Sequence, residues 1–250
     1  MKLIGWFTTA RGPGSFNLFK TMMDNIKSGS IDAKISFVLI NRDVKGNKFR
    51  MKLTGMADEA GIPVILLPSD SFEPELKEKD LSAWRDDYGK AMREKISKYP
   101  MDFGVLAGYM LILDQETCRR YTVINLHPAL PDTYKGTWEE IVEQVVENGD
   151  ESYGATIHLC TPELDRGETL CYDSFILNPI QEKHTDREER IKQVRAEELK
   201  REAYLLIGAI KMIVDGDIAI KDGKALDKSG NNLAKNLCLS NKIDEEIKKS

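Results

Sequence analysis

At 250 residues, with 41% hydrophobic and 31% charged side chains, the chain can bury a large core and lies far from the composition of disordered segments. A formal net charge of −5 excludes a broad cationic grip on a nucleic-acid backbone, so no nucleic-acid partner is expected. The four cysteines lack CxxC spacing, no apolar run approaches the roughly 18 residues of a membrane span, and MKLIGWFTTA enters a strand directly. Together these predict free thiols, a cytoplasmic location and no membrane partner.

Residues 2–8 read as a buried strand, followed by the turn-forming run Thr9-Ala10-Arg11-Gly12-Pro13-Gly14-Ser15 and a helix over 16–27. A strand at 34–40, a helix over 52–60 and a short strand at 63–67 continue the rhythm. A long amphipathic helix is predicted over 81–98, then strands at 103–107 and 123–126. Both strands are almost continuously apolar, as in a sheet covered on both faces. Residues 138–147 form the next predicted helix, closed by Asn148-Gly149, with strands at 155–159 and 169–177. This alternation predicts an α/β fold: a doubly wound, mostly parallel seven-stranded sheet of Rossmann type, flanked by helices.

The pattern over 186–214 is a further helix, its charged first half expected to face solvent and its apolar second half, AYLLIGAIKMIV, to pack on the sheet. Residues 218–226 suggest a hairpin turning at Asp222-Gly223, and the remainder of the chain is polar and Lys-rich. The expected organisation is one catalytic domain over 1–226 and a polar tail over 227–250.

The strongest local signal is Val123-Ile-Asn125-Leu-His127-Pro128, an apolar strand ending in a polar pair before a Pro-containing loop. In open parallel sheets ligands bind beyond the carboxyl ends of the strands. Asn125 and His127, at i and i+2, point to one side of their strand, presenting an amide and a titratable base together. Glu163-Leu-Asp165-Arg-Gly167 follows the strand at 155–159, where a loop would hang over the same edge. Were Asp165 to meet His127, it would hold the imidazole tautomer and raise its basicity, and Asn125 would aim an amide at a developing oxyanion. No Ser or Cys nucleophile stands beside them, which suits direct attack of a substrate amine on a carbonyl. Taken singly, a His before Pro is often a structural residue, and Asp-x-Gly is ordinary turn chemistry.

Asn125-Leu-His127-Pro128-Ala-Leu-Pro-Asp-Thr-Tyr-Lys135-Gly136, then Gly154-Ala-Thr-Ile-His158, then Leu164-Asp165-Arg-Gly167, resembles the signature of the folate-dependent formyltransferases in order and spacing. The resemblance covers about residues 1–215. It implies Asn125, His127 and Asp165 as the catalytic set, 10-formyltetrahydrofolate as formyl donor, and no metal. The segment Leu106-Ala-Gly108-Tyr109-Met110-Leu111-Ile112-Leu113 resembles the family's folate-lining stretch, implying folate contacts from residues 109–113. Gly12-Pro13-Gly14-Ser15-Phe16-Asn17 resembles the loop with which members acting on glycinamide ribonucleotide hold the substrate phosphate. A glycine turn feeding a helix N-terminus concentrates N–H donors and positive dipole on an anion.

The implied reaction is therefore formyl transfer from 10-formyltetrahydrofolate to the amine of glycinamide ribonucleotide, in purine biosynthesis. Small-molecule substrates are the only partners expected, acting on a monomer or homodimer. Lys48, Arg50 and Lys52 are candidates for a cation beside the phosphate. Glu198 aligns loosely with a family glutamate that binds the acceptor's ribose, although a solvated helix glutamate would read the same way. Ala129 and Pro131-Asp132 depart from the family pattern, and the loop at 12–17 is one residue longer. Another amine acceptor such as a nucleotide-linked amino sugar, a formyltetrahydrofolate hydrolase, or a non-catalytic folate- or nucleotide-binding protein are the alternatives.

Overall fold

The computed structural model describes residues 1–43, 45–163, 167–233 and 237–249. Seven strands, β1 (Lys2–Thr8), β2 (Ala33–Ile40), β3 (Val64–Leu66), β4 (Phe103–Leu106), β5 (Val123–His127), β6 (Ser152–Leu159) and β7 (Thr169–Ile176), form one sheet in the order β3-β2-β1-β4-β5-β6-β7. The neighbours β1–β2, β1–β4, β2–β3 and β4–β5 are parallel, and the β6–β7 pair is antiparallel. This is the doubly wound, mostly parallel sheet expected from the alternation of apolar strands and amphipathic helices. The chain divides into two compact units, Met1–Asn125 with Leu159–Leu164, and Leu126–His158 with Asp165–Ser250.

In the first unit, helices α1 (Pro13–Lys27), α2 (Lys48–Glu59), α3 (Pro74–Lys79), α4 (Leu81–Ile96) and α5 (Gln115–Arg120) accompany the strands. Gly-Pro-Gly places Pro13 at the first helical position, where its missing N–H costs nothing, so α1 starts at Pro13 and not at Phe16. Asn47 caps α2 by accepting from the Phe49 and Arg50 amides, so this helix also starts earlier than its apolar period suggested. The short helices α3 and α5 were not legible from periodicity, because six residues hold under two turns. Phe7 and Phe37 meet Trp84, Tyr88 and Met92 of α4 in one buried cluster, and Trp84 stacks on Tyr88 at 5.0 Å.

Gly89 lets α4 approach α5. A Cβ at residue 89 would lie 1.8 Å from Asp114 Oδ1, and Asp114 is held by Arg93 and by the Thr117 hydroxyl and amide. Gly89→Ala is therefore expected to destabilise the protein by roughly 1–3 kcal/mol through overpacking, despite a better helix propensity. Urea denaturation reads this directly, and a variant as stable as the parent would mean that α4 shifts freely.

In the second unit, α6 (Trp138–Asn148) carries a capping box between Thr137 and Glu140 and ends on Gly149 at φ 67°. After α7 (Asn178–Lys183) comes α8 (Arg187–Val214), followed by the hairpin β8 (Ile218–Lys221) and β9 (Lys224–Asp227). Asp222 and Gly223, both at positive φ, make the expected tight turn. The charged half of α8 departs from expectation. Glu198, Arg201 and Glu202 are buried, because each finds a hydrogen-bonding side-chain partner in place of solvent, Arg195 for the two glutamates and Asp173 for Arg201.

Residues 227–250, expected as a polar tail, contain α9 (Ser240–Lys249), which packs on α8 and β7. Leu239 and Ile243 are buried, and the segment runs beside β7: the Tyr172 amide donates to Leu237 O at 3.0 Å and the Leu239 amide to Tyr172 O at 2.9 Å. Arg201 joins the three elements, donating to both oxygens of Asp173 at 2.6 and 2.9 Å while standing 2.7 Å from Asp244. The four cysteines are free, and among the described residues no helix is long and apolar enough to cross a membrane.

Candidate active site

In the first unit, the loop after β1 turns at Ala10, whose φ of 54° is rare for a residue with a Cβ. Gly12 then takes the N-cap position of α1 without any side-chain capping bond, and no acidic residue occupies the first turn. Pro13 has no N–H, and the Phe16 amide reaches back to Gly12 O at 3.4 Å. The Gly14 and Ser15 amides begin the helix with no carbonyl a turn before them, as at any helix start. Nearby strand ends carry two buried oxygens with no hydrogen-bond partner among the described residues, Thr9 Oγ1 and Asn41 Oδ1. The uncapped amides suit an anionic group, and the Thr9 hydroxyl and the accepting Asn41 oxygen suit a polar ligand that also carries hydrogen-bond donors.

The three candidate cations differ in their surroundings. Arg50 pairs with Asp43, Lys48 Nζ lies 5.0 Å from the Phe49 ring, and Lys52 Nζ lies 5.7 Å from the ring of Phe16. Asn47 also donates to Arg11 O at 2.9 Å, tying the start of α2 to the glycine loop.

On the other side of β1, the Thr9 amide donates to Gly108 O at 3.0 Å. Gly108 has φ 67°, and a Cβ there would stand 3.5 Å from Ser15, so the turn opening residues 109–113 lies against the start of α1. Within this stretch Tyr109 and Leu113 are core side chains, Leu111 and Ile112 are half-buried, and Met110 is 49% exposed. Only the backbone and the outward side chains of the segment are therefore available to a ligand.

Asn125 and His127 lie on β5, half-buried and buried respectively, two residues apart and so on one side of the strand. In the second unit, His127 Nε2 lies 2.9 Å from the Tyr134 carbonyl. A carbonyl only accepts, so this bond places a hydrogen on Nε2 and leaves Nδ1 as the nitrogen whose proton can move. Tyr134 is fixed in turn by its hydroxyl, which donates to Asp150 Oδ2 at 2.6 Å and raises the phenol's pKa. The His158 ring meets His127 edge-on at 6.0 Å. The loop after β5 is held by two hydroxyls of β6: Thr156 donates to Ala129 O at 2.7 Å, and Tyr153 Oη lies 2.7 Å from Pro128 O. Gly154 between them is needed because a Cβ there would strike Asp173 O at 1.9 Å.

Asp165, expected as the third catalytic group, lies outside the described residues. Glu198, expected as a ribose contact or a solvated residue, is 1% exposed and has both oxygens engaged, one near Tyr153 Oη at 2.8 Å and one with Arg195 at 2.6 Å. Burial, and then Glu202, push its carboxyl well above the usual range against the pull of Arg195. Sequence reasoning missed Tyr134, Tyr153 and Thr156, since a strand or loop hydroxyl carries no periodic signature, and Arg195, which reads like any other charge of its helix. Tyr153 one position before Gly154-Ala-Thr was the nearest available hint.

The chain belongs to the formyl transferase family, which matches residues 12–203. It is accordingly an enzyme of the formyl-transferring class. Among its relatives, phosphoribosylglycinamide formyltransferase of Haemophilus influenzae is 28% identical over 84% of this chain and 91% of its own length. The Escherichia coli protein of that name is 29% identical over 63% of this chain and 66% of its own. Among solved structures, the phosphoribosylglycinamide formyltransferase of Coxiella burnetii has the same fold at a TM-score of 0.73 and 21% identity, covering 95% of this chain and 98% of that one. A formyltetrahydrofolate deformylase of Pseudomonas syringae shares the fold at a TM-score of 0.70 and 22% identity, covering 90% of this chain and 65% of that one.

Proposed function

We propose that the chain transfers the formyl group of 10-formyltetrahydrofolate to the primary amine of glycinamide ribonucleotide, as a step of purine biosynthesis. The observation that carries the chemistry is His127 at the carboxyl end of β5, its Nε2 tied to the Tyr134 carbonyl and its strand neighbour Asn125 on the same side. The uncapped start of α1 at Gly12 to Asn17 takes the acceptor's phosphate, with assistance from one of Lys48, Arg50 and Lys52; the 5.7 Å between Lys52 Nζ and the Phe16 ring supports Lys52. Residues 109–113 take the folate, through backbone groups and the exposed Met110.

In this reading the acceptor nitrogen attacks the formyl carbon, and the carbonyl electron pair moves onto oxygen. Asn125 donates to that oxyanion, and a protonated His127 donates from Nδ1. The tetrahedral adduct then collapses: the carbon–nitrogen bond to the folate breaks, the attacking nitrogen loses a proton, and the folate nitrogen gains one. His127 and Asp165, directly or through a water, carry that proton.

Purified protein given 10-formyltetrahydrofolate should consume it only when glycinamide ribonucleotide is present. Formate release without an amine would make the protein a hydrolase, the activity for which its formyltetrahydrofolate deformylase relative in Haemophilus influenzae is named. Folate binding without turnover under any acceptor would make it a binding protein.

A further inference from the structure

Tyr153 Oη stands between two oxygens, Pro128 O at 2.7 Å and Glu198 Oε1 at 2.8 Å. A phenol has one hydrogen to give, and a peptide carbonyl has none. If Tyr153 donates to Pro128, the short contact with Glu198 requires a hydrogen on the carboxyl. Charge counting leads to the same place by a separate route. Arg195 Nη1 lies 2.6 Å from Glu198 Oε2 and 2.8 Å from Glu202 Oε1, so one guanidinium serves two buried carboxyls. These are 1% and 7% exposed, and Arg195 itself is capped by the Trp138 ring at 4.6 Å. Leaving both carboxyls ionised would bury an uncompensated negative charge. The titratable groups facing Glu198 are Tyr153 on β6 and Arg195 and Glu202 on its own helix, and burial is the largest influence on it.

We propose that neutral Glu198 donates to Tyr153, which thereby holds the Pro128 carbonyl and with it the loop carrying His127, making Tyr153 and Glu198 a proton-dependent positioning pair for formyl transfer. Every proton then has a place: Arg195 gives to Glu198 Oε2, Glu198 Oε1–H gives to Tyr153, and Tyr153 gives to Pro128 O, directly after His127. Loss of the Glu198 proton turns Oε1 into a strong acceptor, draws the Tyr153 hydrogen away from Pro128 and releases the loop. Tyr153 and Glu198 touch no reacting atom in this scheme and act only through His127. The proposal rests on the catalytic assignment of His127 made above.

The test is the pH dependence of kcat in the parent and in Glu198→Gln, Tyr153→Phe and the double variant. Glutamine keeps a hydrogen for Tyr153 at every pH. The parent should lose kcat as pH rises through about 8, the value to which the Glu198 carboxyl is pushed, whereas the Glu198→Gln profile should lack that limb. The ratio of variant to parent kcat should climb about fivefold from pH 7 to pH 9, since the ionised form keeps the roughly tenfold-lower activity of an enzyme without the Tyr153 hold. Tyr153→Phe should lower kcat about tenfold with less than a twofold change in the KM for folate, and adding Glu198→Gln to it should change nothing further. Matching profiles for parent and Glu198→Gln, or a Tyr153→Phe enzyme with full kcat, would overturn the proposal.

A readout without activity separates this from failure of the functional reading. The carboxyl pKa is raised in the folded state, so its contribution to stability is complete below the ordinary glutamate value and is lost as pH rises toward about 8. Thermal unfolding should therefore show the parent losing Tm relative to Glu198→Gln across that interval. Infrared spectra at pH 6 should contain a protonated-carboxyl band that Glu198→Gln removes. A Tm difference that does not vary with pH, or no such band, would mean that Glu198 is ionised and the pair is not a proton device, whatever reaction the enzyme performs.

Discussion

Asn125→Ala is expected to lower kcat by about 10²–10³-fold, the usual loss when one donor to a developing oxyanion is removed, and His127→Ala by about 10²–10⁴-fold. Both losses should fall on kcat, with the KM of each substrate changed little, because in the proposed mechanism these groups act on charge that exists only in the transition state. The stability of the two variants should not account for the effect. Asn125 is half-buried at a strand end, and His127 spends one nitrogen on a loop carbonyl. Steady-state kinetics with saturating folate settles the matter, and near-full activity in either variant would remove that residue from the mechanism. Asp165→Asn tests the third member of the set, which the sequence motif alone supports.

Arg201→Met should destabilise the protein by roughly 3–5 kcal/mol, the range found when one member of a buried ion pair is deleted. Its guanidinium is 6% exposed and holds both oxygens of Asp173, itself 1% exposed, so the methionine variant strands a buried carboxylate. The same change frees Asp244 on α9, so the last helix should become the first segment to exchange its amide hydrogens. Adding Asp173→Leu should return much of the stability, since a well-packed apolar pair often replaces a buried ion pair without loss. A loss below about 1 kcal/mol in urea denaturation would place this cluster with ordinary surface pairs.

The buried character of this helix face shows where sequence reasoning stops. A run such as Arg195-Ala-Glu-Glu198-Leu-Lys-Arg201-Glu202 has the same charges whether it faces water or a sheet. Its destination depends on whether Asp173, Tyr153 and Asp244 arrive opposite it, and those residues are up to tens of positions away. The helix α9 was hidden for a similar reason: its apolar positions are few, and their burial comes from a neighbour, α8, that the pattern does not name.

What the sequence by itself determined was the strand–helix alternation, the turns at Gly149 and Asp222-Gly223, and the display of Asn125 and His127 on one side of a strand end. Each of these is set by local rules: period, glycine conformation and the two-residue repeat of a strand. What only the tertiary structure decided was the bond from His127 to the Tyr134 carbonyl, the burial of Glu198 between Tyr153 and Arg195, and the anchoring of the last helix by Arg201. These depend on which polar groups meet when water is removed, because a buried hydrogen bond or charge takes its value from its partners and not from its own side chain.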